Sequence, residues 1–267
     1  MKRRFDGRKA TPAIRGVRKV GLARALSKLG YCSRKQAATL IRQGNVRLNG
    51  TAPRNPETPV RMGVDRIEVL GRAIHAAERI YLMMNKARGL VTSAADEKGR
   101  ETVYSLLPRE LNWLAPVGRL DKASEGLLLF TNDSEWSAQV TDPDQHLDKT
   151  YHVQIGAIAT PELLDKLERG VETERGEILR CKRAKVLRTG GKNSWIEIVL
   201  DEGKNRQIRR MLNARGVEVL RLIRVAIGPL QLGDLPKGQH RRLTAAELAS
   251  LQQELRPARP AAPALIH

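Results

Sequence analysis

Three short stretches of the chain hold the side chains best suited to chemistry. Residues 118–133, GRLDKASEGLLLFTND, place one carboxylate, Asp121, just before an apolar run from Leu127 to Phe130. That run has the length of a buried strand, so Asp121 should lie at the edge of a rigid element. Residues 149–151, KTY, and 203–211, GKNRQIRRM, add an aromatic side chain and several basic ones. Together the stretches predict a site with a catalytic aspartate, an aromatic partner and a basic partner.

The charge of the chain indicates a polyanionic partner. Its 267 residues include 48 Lys and Arg against 29 Asp and Glu, a formal net charge of +19. Such an excess attracts nucleic acid or, less often, a membrane surface. No apolar run is long enough to span a bilayer, and the basic N-terminal residues lack the apolar core of a secretory signal. We therefore expect a cytosolic protein that binds nucleic acid. Charge that only keeps the protein soluble is the alternative, and the clustering of the basic residues argues against it.

Neither the cysteines nor the histidines have the spacing of a metal or redox site. Cys32 and Cys181 are far apart, and the five histidines show no ligand spacing. We expect no structural zinc and no disulfide, with both cysteines packed or without a role.

Composition divides the chain into five segments. We expect a disordered basic arm, a small module, a linker, a larger domain and a disordered tail rich in Pro and Ala. Their predicted bounds are 1–19, 20–72, 73–79, 80–255 and 256–267.

The small module reads as two helices and short strands. Apolar residues recur at helical spacing from Leu22 to Leu29, and Ser33 is a good cap for a second helix that ends by Gly44. Val46 and Leu48 then alternate as on a strand, and the following Asn-Gly pair favours a tight turn. Prolines at 53, 56 and 59 mark a loop before another short strand.

A basic face on this module could track a phosphate backbone. It comprises Arg34, Lys35 and Arg42 on the second helix and Arg47 just beyond it. The module resembles the S4 RNA-binding domain through Leu26-x-x-x-Gly30, Ser33-Arg34-x-x-Ala37, Ile41-x-x-Gly44-x-Val46 and Asn49-Gly50. An ordinary helical hairpin with a solvated basic face is the alternative.

The larger domain mixes strands and helices without strict alternation. We predict strands at 80–84, 195–200 and 217–225 and helices at 161–170, 207–215 and 244–255. This order favours an α+β fold with a mixed, mainly antiparallel sheet flanked by helices.

The larger domain resembles the RsuA-type pseudouridine synthases, which isomerise uridine in RNA. The resemblance spans residues 80–250 and rests on Gly118-Arg119-Leu120-Asp121-x-x-Ser124-x-Gly126-Leu127-Leu128, on Lys149-x-Tyr151 and on the GKNRQIRRM stretch. An S4 domain before the catalytic domain is the usual architecture of that family. One departure is visible. The family's Asn-Lys-Pro-x-Gly is Asn85-Lys86-Ala87-Arg88-Gly89 here, which should loosen one turn without touching the chemistry.

The resemblance implies a role for each of three residues. Asp121 would be the catalytic carboxylate, which either attacks the anomeric carbon or removes a ribose proton to leave a glycal; the sequence leaves both routes open. Arg209 would be the cationic neighbour that keeps Asp121 ionised, in a geometry suited to a bidentate pair. Tyr151 would stack on the flipped uracil and take the proton from carbon 5. The reaction changes no oxidation state, so we expect no metal and no organic cofactor.

Five further residues are expected to contact RNA or to stabilise loops: Lys86, Arg119, Lys204, Asn205 and Arg206. Arg119 would hold the phosphate of the flipped nucleotide or fill the stack it leaves. Each assignment has a structural alternative, such as a turn aspartate for Asp121, a packed strand tyrosine for Tyr151 or a solvated helix arginine for Arg209.

Two other functions are compatible with parts of the pattern. The chain could be a non-catalytic RNA-binding or ribosome-assembly factor, although such a scaffold would be expected to lose the three catalytic residues. It could be a glycoside hydrolase with Asp121 and Glu125 as paired carboxylates, although a basic chain with 3% aromatic residues is a poor sugar-binding surface. By analogy of architecture we expect ribosomal RNA as the substrate. We expect a monomer, because nothing in the sequence suggests a coiled-coil seam or a large apolar patch.

Overall fold

The computed structural model describes residues 19–255 except 94, 95, 97, 109, 110, 112 and 175. The predicted disordered arm, apart from Lys19, and the predicted disordered tail lie outside these residues. The described chain divides into two compact units after Ala77.

The first unit consists of two short helices and small strands around one apolar core. Ser33 caps the second helix through a capping box, because its Oγ accepts from the Gln36 N–H at 3.1 Å while Gln36 accepts from the Ser33 N–H at 3.0 Å. Asn49 and Gly50 both have positive φ, 50° and 85°, as a tight hairpin turn requires. The elements are β1 (Lys19–Gly21), α1 (Leu22–Lys28), α2 (Arg34–Arg42), β2 (Val46–Leu48), β3 (Pro59–Arg61), β4 (Ile67–Val69) and β5 (Arg72–Ala73).

Two expectations for this unit need adjustment. Pro59, predicted to lie in a loop, begins β3, which pairs with β1. The start of the predicted linker is ordered, because Ala73 belongs to β5 and the N–H of Ala77 donates to the Leu29 carbonyl at 2.9 Å.

The second unit contains one large sheet with helices packed against it. Its elements are β6 (Tyr81–Lys86), β7 (Ala115–Val117), β8 (Glu125–Thr131), α3 (Ser134–Thr141), β9 (Lys149–Ile155), α4 (Pro161–Arg169), β10 (Val171–Glu172), β11 (Ile178–Leu179), β12 (Arg183–Thr189), β13 (Ser194–Leu200), α5 (Gln207–Asn213), β14 (Val219–Ile227), β15 (Leu230–Gln231), β16 (His240–Arg242) and α6 (Ala245–Glu254). Short 3-10 turns at Val103–Leu106 and Pro143–Gln145 complete it.

The sheet is mixed and mainly antiparallel, which confirms the predicted α+β class. Within the described residues its strand order is β12-β13-β9-β14-β8-β6-β16, with β7 beside β8 and β15 beside β14. The one parallel pairing among these strands joins β14 to β8. The helix that begins at residue 134 and the strand at 183–189 were not predicted from the sequence.

Strand β8 is the rigid element that the apolar run predicted. Every residue from Glu125 to Thr131 is buried, and the run contributes to apolar cores on both faces of the sheet. Gly126 is required for the pairing with β14, because a Cβ there would lie 2.2 Å from the carbonyl oxygen of Arg224. The loop that carries Asp121 therefore leads directly into the best-buried strand of the unit.

Among the described residues, no helix has both the length and the apolar composition needed to cross a membrane.

Candidate active site

A cavity of about 560 Å³ brings together residues from all three stretches that the sequence singled out. Its volume lies within the usual range of small-molecule sites. The predicted site residues that line it are Arg119, Asp121, Tyr151, Lys204, Asn205 and Arg206. Their elements are distant in sequence, so the sheet and α5 create the site by folding.

The backbone of the Asp121 loop is held by several hydrogen bonds. Leu120 is buried, and it forms two hydrogen bonds with the Thr92 hydroxyl. The Leu120 carbonyl accepts from this hydroxyl at 2.8 Å, and the Leu120 N–H donates to the hydroxyl oxygen at 3.3 Å. The carbonyl of Asp121 accepts from the Ser124 N–H at 3.0 Å. The carbonyl of the next residue, Lys122, accepts from the Gly89 N–H at 2.8 Å. The position of Asp121 is therefore fixed through its main chain.

Lys86 completes this support from the last position of β6. Its side chain is fully buried, and its Nζ donates to the carbonyls of Ala87, Asp121 and Ser124 at 3.1, 3.2 and 2.8 Å. All three donors of the ammonium group are thereby used. Burial lowers the pKa of Lys86 to about 8, against the attraction of Asp121 and Glu125. The expectation that Lys86 contacts RNA is wrong, because no part of it reaches the surface; it stabilises the loop.

The Asp121 carboxylate itself remains available to a ligand. Its side chain is 33% exposed, and its Oδ2 lies 3.5 Å from Nη1 of Arg206. Arg206 precedes α5 with φ of 50°, a left-handed conformation that is uncommon for a residue with a side chain. A half-exposed pair of this length adds little to stability. It does place a positive charge beside the carboxylate that faces the cavity.

Arg209 does not form the expected bidentate pair with Asp121. Its Nη2 donates to the Ala123 carbonyl at 3.1 Å and its Nη1 to the Val219 carbonyl at 3.3 Å, while its Nε is buried without a partner. Among the described residues no ion pair joins it to Asp121, and Arg206 has that place instead. Burial, and then the charge of Arg206, lower the pKa of Arg209. Arg209 thus supports the Asp121 loop from α5 through the main chain.

Tyr151 lies on β9, between β13 and β14, where it pairs with Ile198 and Arg224. Its half-buried ring packs against two apolar cores of the second unit and lines the cavity. No hydrogen bond to its hydroxyl is found within the described part of the chain. The ring is therefore fixed while the hydroxyl is free to meet a ligand.

The other predicted contact residues are exposed, as RNA contacts must be. Arg119 and Asn205 lie at the rim of the cavity. Lys204 is 3.2 Å from Glu202 and 3.4 Å from Glu177. The basic residues of the first unit, Arg34, Lys35, Arg42 and Arg47, are all exposed.

Glu125 is not a second catalytic carboxylate. It is buried at the start of β8, and its two oxygens each accept from Arg221 at 3.2 Å; one also lies 2.6 Å from Nζ of Lys237. Burial raises the pKa of Glu125, but the bonds from Arg221 and Lys237 outweigh burial, so the pKa lies below its usual value. The paired-carboxylate arrangement of a glycoside hydrolase is therefore wrong for this site.

Two cationic residues line the cavity without a role predicted from the sequence: Lys149, which was noted only as part of the KTY stretch, and Arg224, which was not singled out. Arg224 on β14 is buried, and Lys149 on β9 has a pKa lowered by burial and by the charge of Arg224. The available signal was an arginine within the apolar strand sequence LRLIRVAI, where a charge needs an explanation.

The cysteines are packed in separate cores. Cys32 belongs to the core of the first unit and Cys181 to one of the second. Burial raises their pKa values to about 11 and about 12, so neither is a reactive thiolate. Over the described ranges, no group of three or more His, Cys, Asp or Glu is arranged to hold a metal ion.

The chain is similar to known proteins over most of its length. A family model described as RNA pseudouridylate synthase matches residues 80–214, and one of the S4 domain matches residues 20–65. The ribosomal large subunit pseudouridine synthase B of Bacillus subtilis (strain 168) is 38% identical over 233 residues, covering 86% of this chain and 95% of that protein. An uncharacterized RNA pseudouridine synthase of Aquifex aeolicus (strain VF5) is 35% identical, covering 87% and 93%. A crystal structure of a pseudouridylate synthase aligns with a TM-score of 0.62 at 29% identity, covering 87% and 99%.

Proposed function

Because this chain belongs to the RsuA-type RNA pseudouridine synthases and has an S4 domain before its catalytic unit, we propose that it isomerises a uridine of large-subunit ribosomal RNA. The family defines the reaction, and the choice of RNA follows the name of the Bacillus subtilis relative. A monomeric state and a cytoplasmic location are part of the same proposal, and light scattering after size exclusion tests the first of these.

The observation that carries the proposal is that a carboxylate, an aromatic ring and a cation lie at one cavity. An accessible aspartate carboxylate and a fixed tyrosine ring line the same space, with a cation 3.5 Å from the carboxylate. The reaction breaks the bond between ribose C1′ and base N1, turns the base, and joins C1′ to carbon 5. Asp121 would act at the ribose, by attack at C1′ or by removal of a ribose proton. Both routes use the carboxylate as an anion, and Arg206 places a cation 3.5 Å from it.

Tyr151 would act on the base. Its ring offers a stacking surface for the flipped uracil, and its hydroxyl would take the carbon-5 proton at the end of the reaction. Arg209 and Lys86 would act through the main chain, by holding the loop that aims Asp121. The target uridine must leave its helix, at a cost of a few kcal/mol. Contacts of Arg119, Lys204 and Asn205 with the RNA backbone would offset that cost.

The S4 domain would supply further affinity through phosphate contacts. Replacing Arg34, Lys35 and Arg42 together by Gln should weaken binding of ribosomal RNA and reduce the slope of log affinity against log salt by up to about 2 to 3. Filter binding at several salt concentrations measures both. Arg169→Gln, on the exposed helix α4, is the matched control and should leave the slope unchanged. A triple variant with the wild-type slope would show that this face does not bind RNA.

The decisive experiment maps pseudouridine in ribosomal RNA by carbodiimide modification, in cells with and without the gene. We expect one position to lose its pseudouridine, and to regain it with the wild-type gene but not with Asp121→Asn. An unchanged map would exclude ribosomal RNA as the substrate, and crosslinking would then identify the bound RNA. Rescue by Asp121→Asn would refute the catalytic role of Asp121 but not the proposed function.

A further inference from the structure

Arg224 is a buried cation without an anionic partner. The residue is 6% exposed, its Nε donates to the Leu127 carbonyl at 2.8 Å, and its Nη2 is buried with no hydrogen-bond partner. None of the carboxylates that the structure describes forms an ion pair with it. A buried charge with unused donors is costly to the folded protein, so its retention calls for a ligand that completes it.

The position of Arg224 connects it to the active site. It pairs with Tyr151 on β9 and with Gly126 on β8, and a bulge in β14 follows it immediately. It lines the same cavity as Asp121 and Tyr151. Lys149, two residues before Tyr151, lines the cavity as well, and burial, followed by the charge of Arg224, lowers the pKa of Lys149. Two like charges at one cavity indicate a site for negative charge.

The proposed reaction generates a negative charge at this place. When the C1′–N1 bond breaks, its electron pair stays with the base, and the detached uracil is an anion whose charge is shared by N1 and its two carbonyl oxygens. Formation of the C1′–C5 bond and loss of the carbon-5 proton then yield the product, as N1 gains a proton. The negative charge exists only after the C1′–N1 bond has broken and before the C1′–C5 bond has formed. A group that binds this charge therefore stabilises the transition state more than the bound substrate and lowers the barrier.

We propose that Arg224, assisted by Lys149, binds the carbonyl oxygens of the flipped uracil and stabilises the anion of the detached base. The proposal rests on the pseudouridine synthase function. A second anion, the phosphate of the target nucleotide, would attract the same guanidinium, and the experiment separates the two. A phosphate contact acts on the bound substrate as much as on the transition state, whereas a contact with the detached base acts on the chemical step.

The test uses a transcript of large-subunit ribosomal RNA and the variants Arg224→Met and Arg224→Lys. Arg224→Met should lower the single-turnover rate of pseudouridine formation by about 10²- to 10³-fold with little change in RNA affinity. Arg224→Lys, which keeps the charge, should fall between Met and the wild type. Arg188→Met, at an exposed arginine that stacks on Trp195 outside the cavity, should keep the wild-type rate.

Stability separates this role from a structural one. Arg224→Met removes a buried charge that has no anionic partner among the described residues. The melting temperature of this variant should therefore equal or exceed that of the wild type. A structural arginine would give the opposite result, with a lower melting temperature and a normal rate for the folded fraction. A melting temperature that falls while the single-turnover rate stays within twofold of wild type would overturn the proposal.

A substituted base tests the anion directly. With 5-fluorouridine at the target position, the electron-withdrawing fluorine makes the detached base a more stable anion, which depends less on an external cation. Because fluorine replaces the carbon-5 proton, no proton is lost at the end on this base, and the reaction is followed as disappearance of 5-fluorouridine after digestion and chromatography. The rate loss of Arg224→Met measured in this way should shrink by about tenfold. A loss confined to RNA affinity would indicate a phosphate contact, and an equal rate loss on both bases would show that Arg224 does not act on the charge of the detached base; either result would overturn the proposal. A wild-type protein that converts no uridine would refute the proposed function together with this inference.

Discussion

Two carboxylates four residues apart differ completely in their surroundings. Asp121 lies in a loop, a third exposed, with one arginine at 3.5 Å. Glu125 begins a buried strand, and Arg221 and Lys237 approach it to 3.2 and 2.6 Å. The main chain around Asp121 is held by hydrogen bonds from Lys86 and Ser124 to the Asp121 carbonyl and from Thr92 to the neighbouring Leu120 carbonyl. The carboxylate that we propose to react is thus held through its backbone and accessible at its oxygens, whereas Glu125 is bound through its oxygens.

The largest expected effect concerns Asp121. Asp121→Asn should reduce pseudouridine formation by about 10⁴-fold or more, the order found when a catalytic nucleophile is removed. Its free energy of unfolding should stay within about 0.5 kcal/mol of the wild type, because the carboxylate makes one long surface contact. Single-turnover assays and urea unfolding on the same preparation measure the two quantities. Substantial residual activity would refute the catalytic assignment, and a large loss of stability would refute the division of roles.

Glu125 should behave in the reverse way. Glu125→Gln keeps the shape of the side chain but removes the charged acceptor of Arg221 and Lys237, so the free energy of unfolding should fall by about 1.5 to 3 kcal/mol, the range for hydrogen bonds to charged groups. The single-turnover rate of the folded fraction should remain close to that of the wild type, because Glu125 does not line the cavity. Urea unfolding shows the first effect. An activity loss comparable to that of Asp121→Asn would mean that Glu125 takes part in the reaction after all.

Replacement of Lys86 should have moderate effects on both activity and stability, because Lys86 contacts the carbonyl of Asp121 and that of Ser124, next to Glu125. Lys86→Met removes the donor to the carbonyls of Ala87, Asp121 and Ser124, of which the Asp121 carbonyl keeps its bond from the Ser124 N–H. The free energy of unfolding should therefore fall by roughly 1 to 3 kcal/mol. The substitution should also slow the reaction by up to about 10²-fold, since a small displacement of a reacting group has that consequence. The wild-type rate in a destabilised Lys86→Met protein would show that the loop keeps its position without this lysine.

Local signals predicted the elements that have them. The capping boxes at Ser33 and Thr244 appear where the sequence placed helix starts, and the apolar run of β8 is buried throughout. Helix α3 was not predicted, because only Trp136 and Val140 on it are buried. Two apolar positions are too few to show a helical period in the sequence. Strand β12 has almost wholly exposed residues and exists through its pairing with β13.

The site could be predicted as a set of residues but not as a set of contacts. Asp121 and Tyr151 were expected in one site, and both line one cavity. Arg209 was predicted as the partner of Asp121, and this was wrong. Arg206 and Arg209 lie three residues apart, and the structure has Arg206, in a left-handed turn, beside the carboxylate. The burial of Lys86 depends on carbonyls as far as 38 residues away. Such contacts leave no local pattern in the sequence.

The smallest expected effect is a pH dependence that reports on Lys86 itself. Its pKa is lowered from 10.5 to about 8 by burial in the folded protein, so between these values the unfolded chain binds more protons at this residue. The free energy of unfolding of the wild type should therefore rise relative to Lys86→Met as the pH increases, on the order of 1 kcal/mol between pH 8 and pH 9. Below about pH 7 the difference should be constant, because the residue is then protonated in both states. Urea unfolding of the two proteins in parallel cancels every other titrating group. A difference that is flat through pH 9 would mean that the ammonium of Lys86 is not desolvated, and that the backbone of Asp121 is held less tightly than the contacts of Lys86 indicate.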